Sequence, residues 1–147
     1  MLLGEYHHTL DAKNRVSIPA KFREELGEKF IVVRNIRKSC LCIYSAEDWA
    51  RYAEKCKQLP VKVAEKTFEF YYHGAINGTP DSLGRVLFST ALLEHAEIST
   101  VAEDANRSMV FVGCGDYGEI WSEENYSRHM AELDIDALRQ AREEFGL

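Results

Sequence analysis

Residues 10–26 read LDAKNRVSIPAKFREEL, and residues 80–96 read PDSLGRVLFSTALLEHA. Each stretch holds an Asp, an Arg four residues on, a Val directly after it, and then a helix-like run. At an offset of 70, Gly4 falls on Gly74, Thr9 on Thr79, Asp11 on Asp81, Arg15 on Arg85, Val16 on Val86 and Glu24 on Glu94. Further on the offset becomes 77, placing Ile43 on Ile120, Ser45 on Ser122, Glu47 on Glu124 and Arg51 on Arg128. Aromatic replaces aromatic at Tyr44/Trp121 and Trp49/Tyr126. The chain therefore reads as a tandem duplication of a unit of about 45 residues, with about seven extra residues in the second copy, within 97–119.

Each unit parses alike. A strand ends near Leu10. The D-x-x-x-R segment is a turn that Asp11 or Asp81 can close through its side chain, with Asn14 or Gly84 able to take a left-handed backbone. Val16 and Ile18 begin a returning strand, and Pro19 suits the first position of a short helix. Phe22 and Leu26 share a face of that helix and Gly27 ends it. FIVV and CLCIY are strands, matched by MVFV and EIW in the second copy. Ser45 and Ser122 each precede acidic residues and read as helix N-caps. Trp49, Tyr52, Ala53, Cys56 and Leu59 form an apolar stripe at helical spacing before Pro60. Helices are expected over 61–72 and 136–145. The spacing divides the chain into a first unit, 3–48, a helical connector, 49–73, a second unit, 74–124, and a C-terminal helix, 125–147.

A unit this small cannot bury enough apolar surface alone. The two units should share one core. The expected class is mixed α+β, with interleaved strands forming one small β-barrel core, flanking helices, and both D-x-x-x-R turns exposed on a pseudo-symmetric surface.

The 147 residues are 46% hydrophobic and 29% charged, the profile of a globular protein. No apolar run approaches the ~18–20 residues of a membrane span, and MLLGEYHH lacks the basic and apolar regions of a signal peptide. A cytoplasmic location is expected. The four cysteines include a C-x-C pair, Cys40 and Cys42, which matches no zinc-knuckle spacing. Cys40 and Cys42, two apart in a strand, are expected as reduced, small apolar side chains on one face, with no metal site.

A net charge of −6 argues superficially against nucleic acid, but the distribution is lopsided. Residues 1–38 hold eight Lys/Arg against five Asp/Glu, residues 39–72 hold five of each, and residues 73–147 hold five against fourteen. One basic end and one acidic end are implied. A DNA contact should come from the N-terminal part. Solvent-facing Lys13 and Arg15 beside a turn suit that role: Arg can donate two bonds to guanine O6 and N7, Lys can contact phosphate, and Asp11 can orient the Arg15 guanidinium. A single such turn is an ordinary hairpin with a surface ion pair. Its recurrence in register makes Arg85 a third candidate. Leu83 stands where the first copy has Lys13, so the first loop should dominate.

The stretch GEYHHTLDAKNRVSIPAKFREELGEKFIVV, with DSLGR, EIW and the Ser-led helix of the second half, resembles the MraZ family of bacterial transcriptional regulators. The resemblance covers nearly the whole chain. It implies two AbrB-like swapped-hairpin units in tandem and assembly into a homo-oligomeric, octamer-like ring. It also implies binding to double-stranded promoter DNA bearing repeated short boxes, upstream of the division and cell-wall gene cluster and typically at the regulator's own promoter. Repression and association with the nucleoid follow from the same resemblance. DNA contact falls on Lys13, Arg15 and Arg85, with Asp11, Asn14, Asp81 and Gly84 shaping the loops. No cofactor is implied.

Three rival readings can be discriminated. An enzyme would use His7, His8 and Asp11, but adjacent strand residues point to opposite faces, and no Gly-rich phosphate loop, nucleophile elbow or H-E-x-x-H is present. His73, His95 and His129 are isolated. An AbrB-like antitoxin would carry a disordered toxin-binding tail, whereas the C-terminus here reads as an amphipathic helix. A purely structural ring would lack DNA affinity. No catalytic residue is expected.

Overall fold

A computed structural model describes all residues, Met1–Leu147. Eight strands and six helices follow one another as β1 (Glu5–Thr9), β2 (Arg15–Ser17), α1 (Ala20–Leu26), β3 (Phe30–Arg34), β4 (Leu41–Ser45), α2 (Ala46–Lys57), α3 (Val61–Tyr72), β5 (Ile76–Gly78), β6 (Arg85–Leu87), α4 (Thr90–His95), β7 (Ser108–Gly113), β8 (Gly118–Ser122), α5 (Glu123–Ala131) and α6 (Ile135–Glu143).

The strand pairing interleaves the two repeats. One six-stranded sheet has the order β1-β7-β8-β4-β3-β5, and a separate two-stranded ribbon pairs β2 with β6. The leading strand of the first repeat pairs with β7 of the second, and β5, which leads the second, pairs with β3 of the first. The hairpins β3–β4 and β7–β8 join through β4 and β8, with Leu41 opposite Ile120. Every pairing is antiparallel, so short turns suffice within each hairpin.

The sheet does not close into the expected barrel: β1 and β5 remain its edges. The apolar face that a barrel would enclose is covered from outside, by the ribbon together with α1 and α4. Val16, Ile18, Phe22, Leu26, Val86, Phe88, Leu92 and Leu93 pack there against Phe30, Val32, Leu41, Ile43, Phe111 and Ile120 in one cluster. Burial without closure is possible because strands three to six residues long expose an apolar face small enough for a ribbon and two short helices to cover.

Alternation along β4 sends Cys42 and Tyr44 to the opposite face. There they join Val33, Trp49, Ala53, Cys56 and Tyr71 in a second cluster under α2 and α3. Leu59 does not extend the stripe: it lies past the end of α2 and is 41% exposed.

The caps follow the local sequence. Ser45 Oγ accepts from the Asp48 N–H and Ser122 Oγ from the Asn125 N–H, each at 3.0 Å. Pro19 sits one position before the expected one, as the N-cap of α1, where its missing N–H costs nothing. Ser89 takes the equivalent place before α4 and caps the Leu92 N–H at 3.3 Å. The last helix spans 135–143 and buries no residue.

Of the adjacent histidines, His8 is half-buried with its ring edge-on to Phe111 at 5.8 Å, while exposed His7 lies 3.0 Å from Glu5. His95 meets the carbonyls of Asn35 and Lys38, and His129 stacks on Trp121 at 4.6 Å. Cys40, Cys42 and Cys56 are buried and free, and Cys114 is exposed and free. Burial pushes the Cys42 thiol up to about 12 and the Cys40 thiol higher still.

Candidate nucleic-acid interface

The two D-x-x-x-R turns have the same hydrogen bonds, atom for atom. Asp11 Oδ1 accepts from the Lys13 and Arg15 N–H groups, both at 2.9 Å, and Asp81 Oδ1 accepts from Leu83 and Arg85, also both at 2.9 Å. The Asp11 and Asp81 N–H groups donate to the Arg15 and Arg85 carbonyls at 2.8 and 2.9 Å. Arg15 Nε then meets Asp11 Oδ2 at 2.8 Å, and Arg85 Nε meets Asp81 Oδ2 at 3.0 Å. Each aspartate thus shapes its turn with one oxygen and aims an arginine with the other.

The turns need a left-handed residue at their fourth position. Asn14 supplies it at φ 59° and Gly84 at φ 76°. Their carbonyls cross between the repeats: Asn14 accepts from the Phe88 N–H at 2.9 Å, and Gly84 from the Ile18 N–H at 3.0 Å. This reciprocal exchange ties the two loops to each other.

The ribbon decides what faces outward. Val16 lies opposite Val86, and both are buried in the core. Arg15 opposite Leu87, and Ser17 opposite Arg85, therefore share the other face. The structure brings Arg15 and Arg85 together, to the point that Arg85 Nη1 lies 3.7 Å from Asp11 Oδ2. Lys13 is exposed. The arginines are less free than expected: their side chains retain 30% and 29% exposure, because the carboxylates hold them against the ribbon.

The carboxylates are suited to ion pairing. For Asp11, partial desolvation would raise the carboxyl, but the Arg15 and Lys13 N–H groups and the Arg15 guanidinium outweigh it and hold it below its usual value. The Arg85 N–H does the same for Asp81, helped by the Leu83 N–H and the Arg85 guanidinium.

Three contributors escaped the sequence reading. Arg107 is only 3% exposed. It donates to the Ser99 carbonyl at 2.8 Å, to the Asp11 carbonyl, and to Asn14 Oδ1 at 3.0 Å, so a residue of the second repeat clamps the first loop. Arg23 backs the second loop: its Nε donates to the Ile18 carbonyl at 3.1 Å, and its Nη1 would lie 2.7 Å from a Cβ at position 84. Leu87, 62% exposed, adds an apolar group beside Arg15. Within the sequence, Leu87 was visible from strand alternation after Val86. The two arginines carried no local signal.

No group of three or more His, Cys, Asp or Glu side chains converges on a point that could hold a metal ion. No helix is long and apolar enough to cross a membrane.

A family model described as "MraZ protein, putative antitoxin-like" matches the chain twice, over residues 1–69 and 71–145. Curated relatives match over nine-tenths or more of the chain. The transcriptional regulator MraZ of Caldicellulosiruptor saccharolyticus is 40% identical, with all of both chains covered. That of Thermoanaerobacter sp. (strain X514) is 41% identical over 92% of this chain and 90% of the relative. That of Clostridium tetani is 37% identical over the whole of both.

Proposed function

The chain belongs to the MraZ family, and from that premise we propose that it is a sequence-specific transcriptional regulator that reads double-stranded promoter DNA with the outer face of the β2–β6 ribbon. One observation carries the reading: two identical turns, one from each repeat, present arginines on a single face, each held by its own aspartate. Holding the guanidinium in advance lowers the entropy lost on binding a base edge. Arg15 and Arg85 are the base-reading residues, Lys13 is a phosphate contact, and Asp11, Asn14, Asp81 and Gly84 shape the loops. In this reading residues 3–48 and 74–124 are AbrB-like swapped-hairpin units, 49–73 connects them, and 125–147 is a helical appendage.

The finer role follows the family resemblance. The regulator represses the division and cell-wall gene cluster, its own promoter included, from the cytoplasm and nucleoid. A homo-oligomeric ring, octamer-like, sets several ribbons against successive short boxes, and multivalency converts weak single contacts into useful affinity. It also resolves the charge problem, since a few cations per subunit are repeated around the ring. No catalytic role is assigned.

The test is binding of the purified protein to DNA from upstream of its own coding sequence, beside a scrambled fragment of equal length, across a salt series. Preference for the upstream fragment at physiological salt supports the reading. Equal weak binding to both, vanishing with salt, leaves only an electrostatic patch. The antitoxin-like description of the matching family model favours one second reading, neutralisation of a toxin. A small basic protein that copurifies stoichiometrically with the chain expressed in its own host would establish it.

A further inference from the structure

The sheet face opposite the ribbon carries a cavity of about 450 Å³ that DNA reading leaves without a role. It lies over Cys42 and Tyr44 of β4, between α2, the end of α3 and the β7–β8 turn. Its volume falls in the ordinary range for small-molecule sites, about 300–1,000 Å³.

The wall is aromatic. The rings of Tyr52 and Tyr44 are near-parallel at 5.7 Å and 17°, and those of Tyr44 and Tyr117 at 5.2 Å and 18°. The outer two are half-buried and line the cavity. Tyr52 and Tyr71 satisfy each other's hydroxyls at 2.8 Å. Tyr44 is only 9% exposed, yet its hydroxyl bonds to nothing in the chain. The one fully enclosed side-chain atom without a partner is Arg34 Nε. The Tyr44 oxygen therefore opens onto free space, and the space beside it is the cavity.

The rim is charged unequally. Arg51 is committed to Asp48 and Glu47. Arg37 and Lys55 also line the cavity, and their side chains make no ion pair or hydrogen bond. Asp116 is the one carboxylate there left unpaired. Two free cations against one free carboxylate favour an anion.

We propose that this cavity is a ligand site for a planar aromatic ring carrying an anionic group, the chemistry of a nucleotide. The ring packs against the tyrosine wall, the Tyr44 hydroxyl bonds to the ring's polar edge, and Arg37 and Lys55 take the phosphate. The inference is independent of the DNA reading, because β4 separates the two sites: Leu41 and Ile43 face the ribbon side, Cys42 and Tyr44 the cavity.

The experiment titrates AMP, GMP and UMP into the full-length protein, following tyrosine fluorescence and thermal stability, with adenosine and inorganic phosphate alongside. At least one nucleotide should bind saturably, with Kd tighter than about 1 mM. Adenosine should bind about tenfold more weakly, and phosphate alone should not stabilise. Arg37→Ala with Lys55→Ala should weaken nucleotide binding about tenfold without changing the melting temperature of the unliganded protein, since neither side chain has a partner to lose. Tyr52→Leu should weaken it similarly. No saturation by any of the three nucleotides up to about 5 mM overturns the proposal. So does equal stabilisation by phosphate and nucleotide, which marks an ionic patch only. Promoter binding by the same unliganded sample is scored separately, so either reading can fail alone.

Discussion

The Arg85 guanidinium lies 3.7 Å from the Asp11 carboxylate, across the ribbon and from the other repeat. Asp11 also holds Arg15 at 2.8 Å, whereas Asp81 pairs with Arg85 alone, at 3.0 Å. The two turns match bond for bond, yet one carboxylate serves two cations. The loops are coupled, and the coupling runs through the first repeat.

Asp11→Ala is accordingly expected to weaken promoter binding more than Asp81→Ala, by about threefold to tenfold, an interaction of about 1 kcal/mol. Titrations of both variants against the same fragment check this. Equal losses would show that the contact between repeats contributes nothing.

Arg15→Ala should cost about 1–3 kcal/mol of specific binding while the protein stays folded and assembled, since the side chain lies outside the core. Arg85→Ala should cost less, because its loop carries Leu83 where the first carries Lys13. Lys13→Ala should weaken binding to all sequences alike and lower the salt slope by about one. Wild-type affinity in Arg15→Ala would remove the central claim, and a changed base preference in Lys13→Ala would reassign that lysine.

Arg107→Ala should lower stability by about 1–2 kcal/mol, because it leaves part-buried acceptors at Asp11, Asn14 and Ser99 without their donor. It should also weaken DNA binding, although in this reading Arg107 does not touch DNA. Denaturant melts and binding titrations measure the two effects. Arg107→Lys should recover only part, since one ammonium cannot reach three acceptors in a fork.

The pH dependence follows from the aspartates. Both have folded values below the unfolded carboxylate value of about 3.9. Their contribution is therefore fully present above that value and is lost as pH falls through the lower folded values. The ribbon should keep its geometry at pH 5 and lose it below about pH 4. Asp11→Asn combined with Asp81→Asn should flatten this part of the acid transition, as followed by hydrogen exchange at Lys13, Arg15, Leu83 and Arg85. An unchanged transition would assign it to other carboxylates.

Much of the site was legible in advance because its chemistry is local. An aspartate that bonds the N–H groups two and four residues on writes its turn within five positions, and an Asn or Gly at the fourth position confirms it. The serine caps are equally local, and a constant offset of 70 aligns Arg15 with Arg85. The barrel was not, because closure depends on whether the edge strands meet. Here the ribbon and two helices cover the face instead. The supporting arginines were hidden for another reason. Arg23 aligns with Leu93, a fully buried core residue, so the repeat itself gave no hint of its role.

The sequence by itself determined the duplication, the turn chemistry, the serine-capped helix starts and the likeness to the MraZ family, since each rests on residues within a few positions of one another or on a constant offset. Only the tertiary structure decided that the two arginines share one face, that Asp11 reaches both, that Arg107 of one repeat clamps the loop of the other, and that a tyrosine-walled cavity lies behind the sheet. Those relationships join residues far apart along the chain. Their distances are set by how two incomplete cores interleave to bury their apolar faces, and no local pattern encodes that packing.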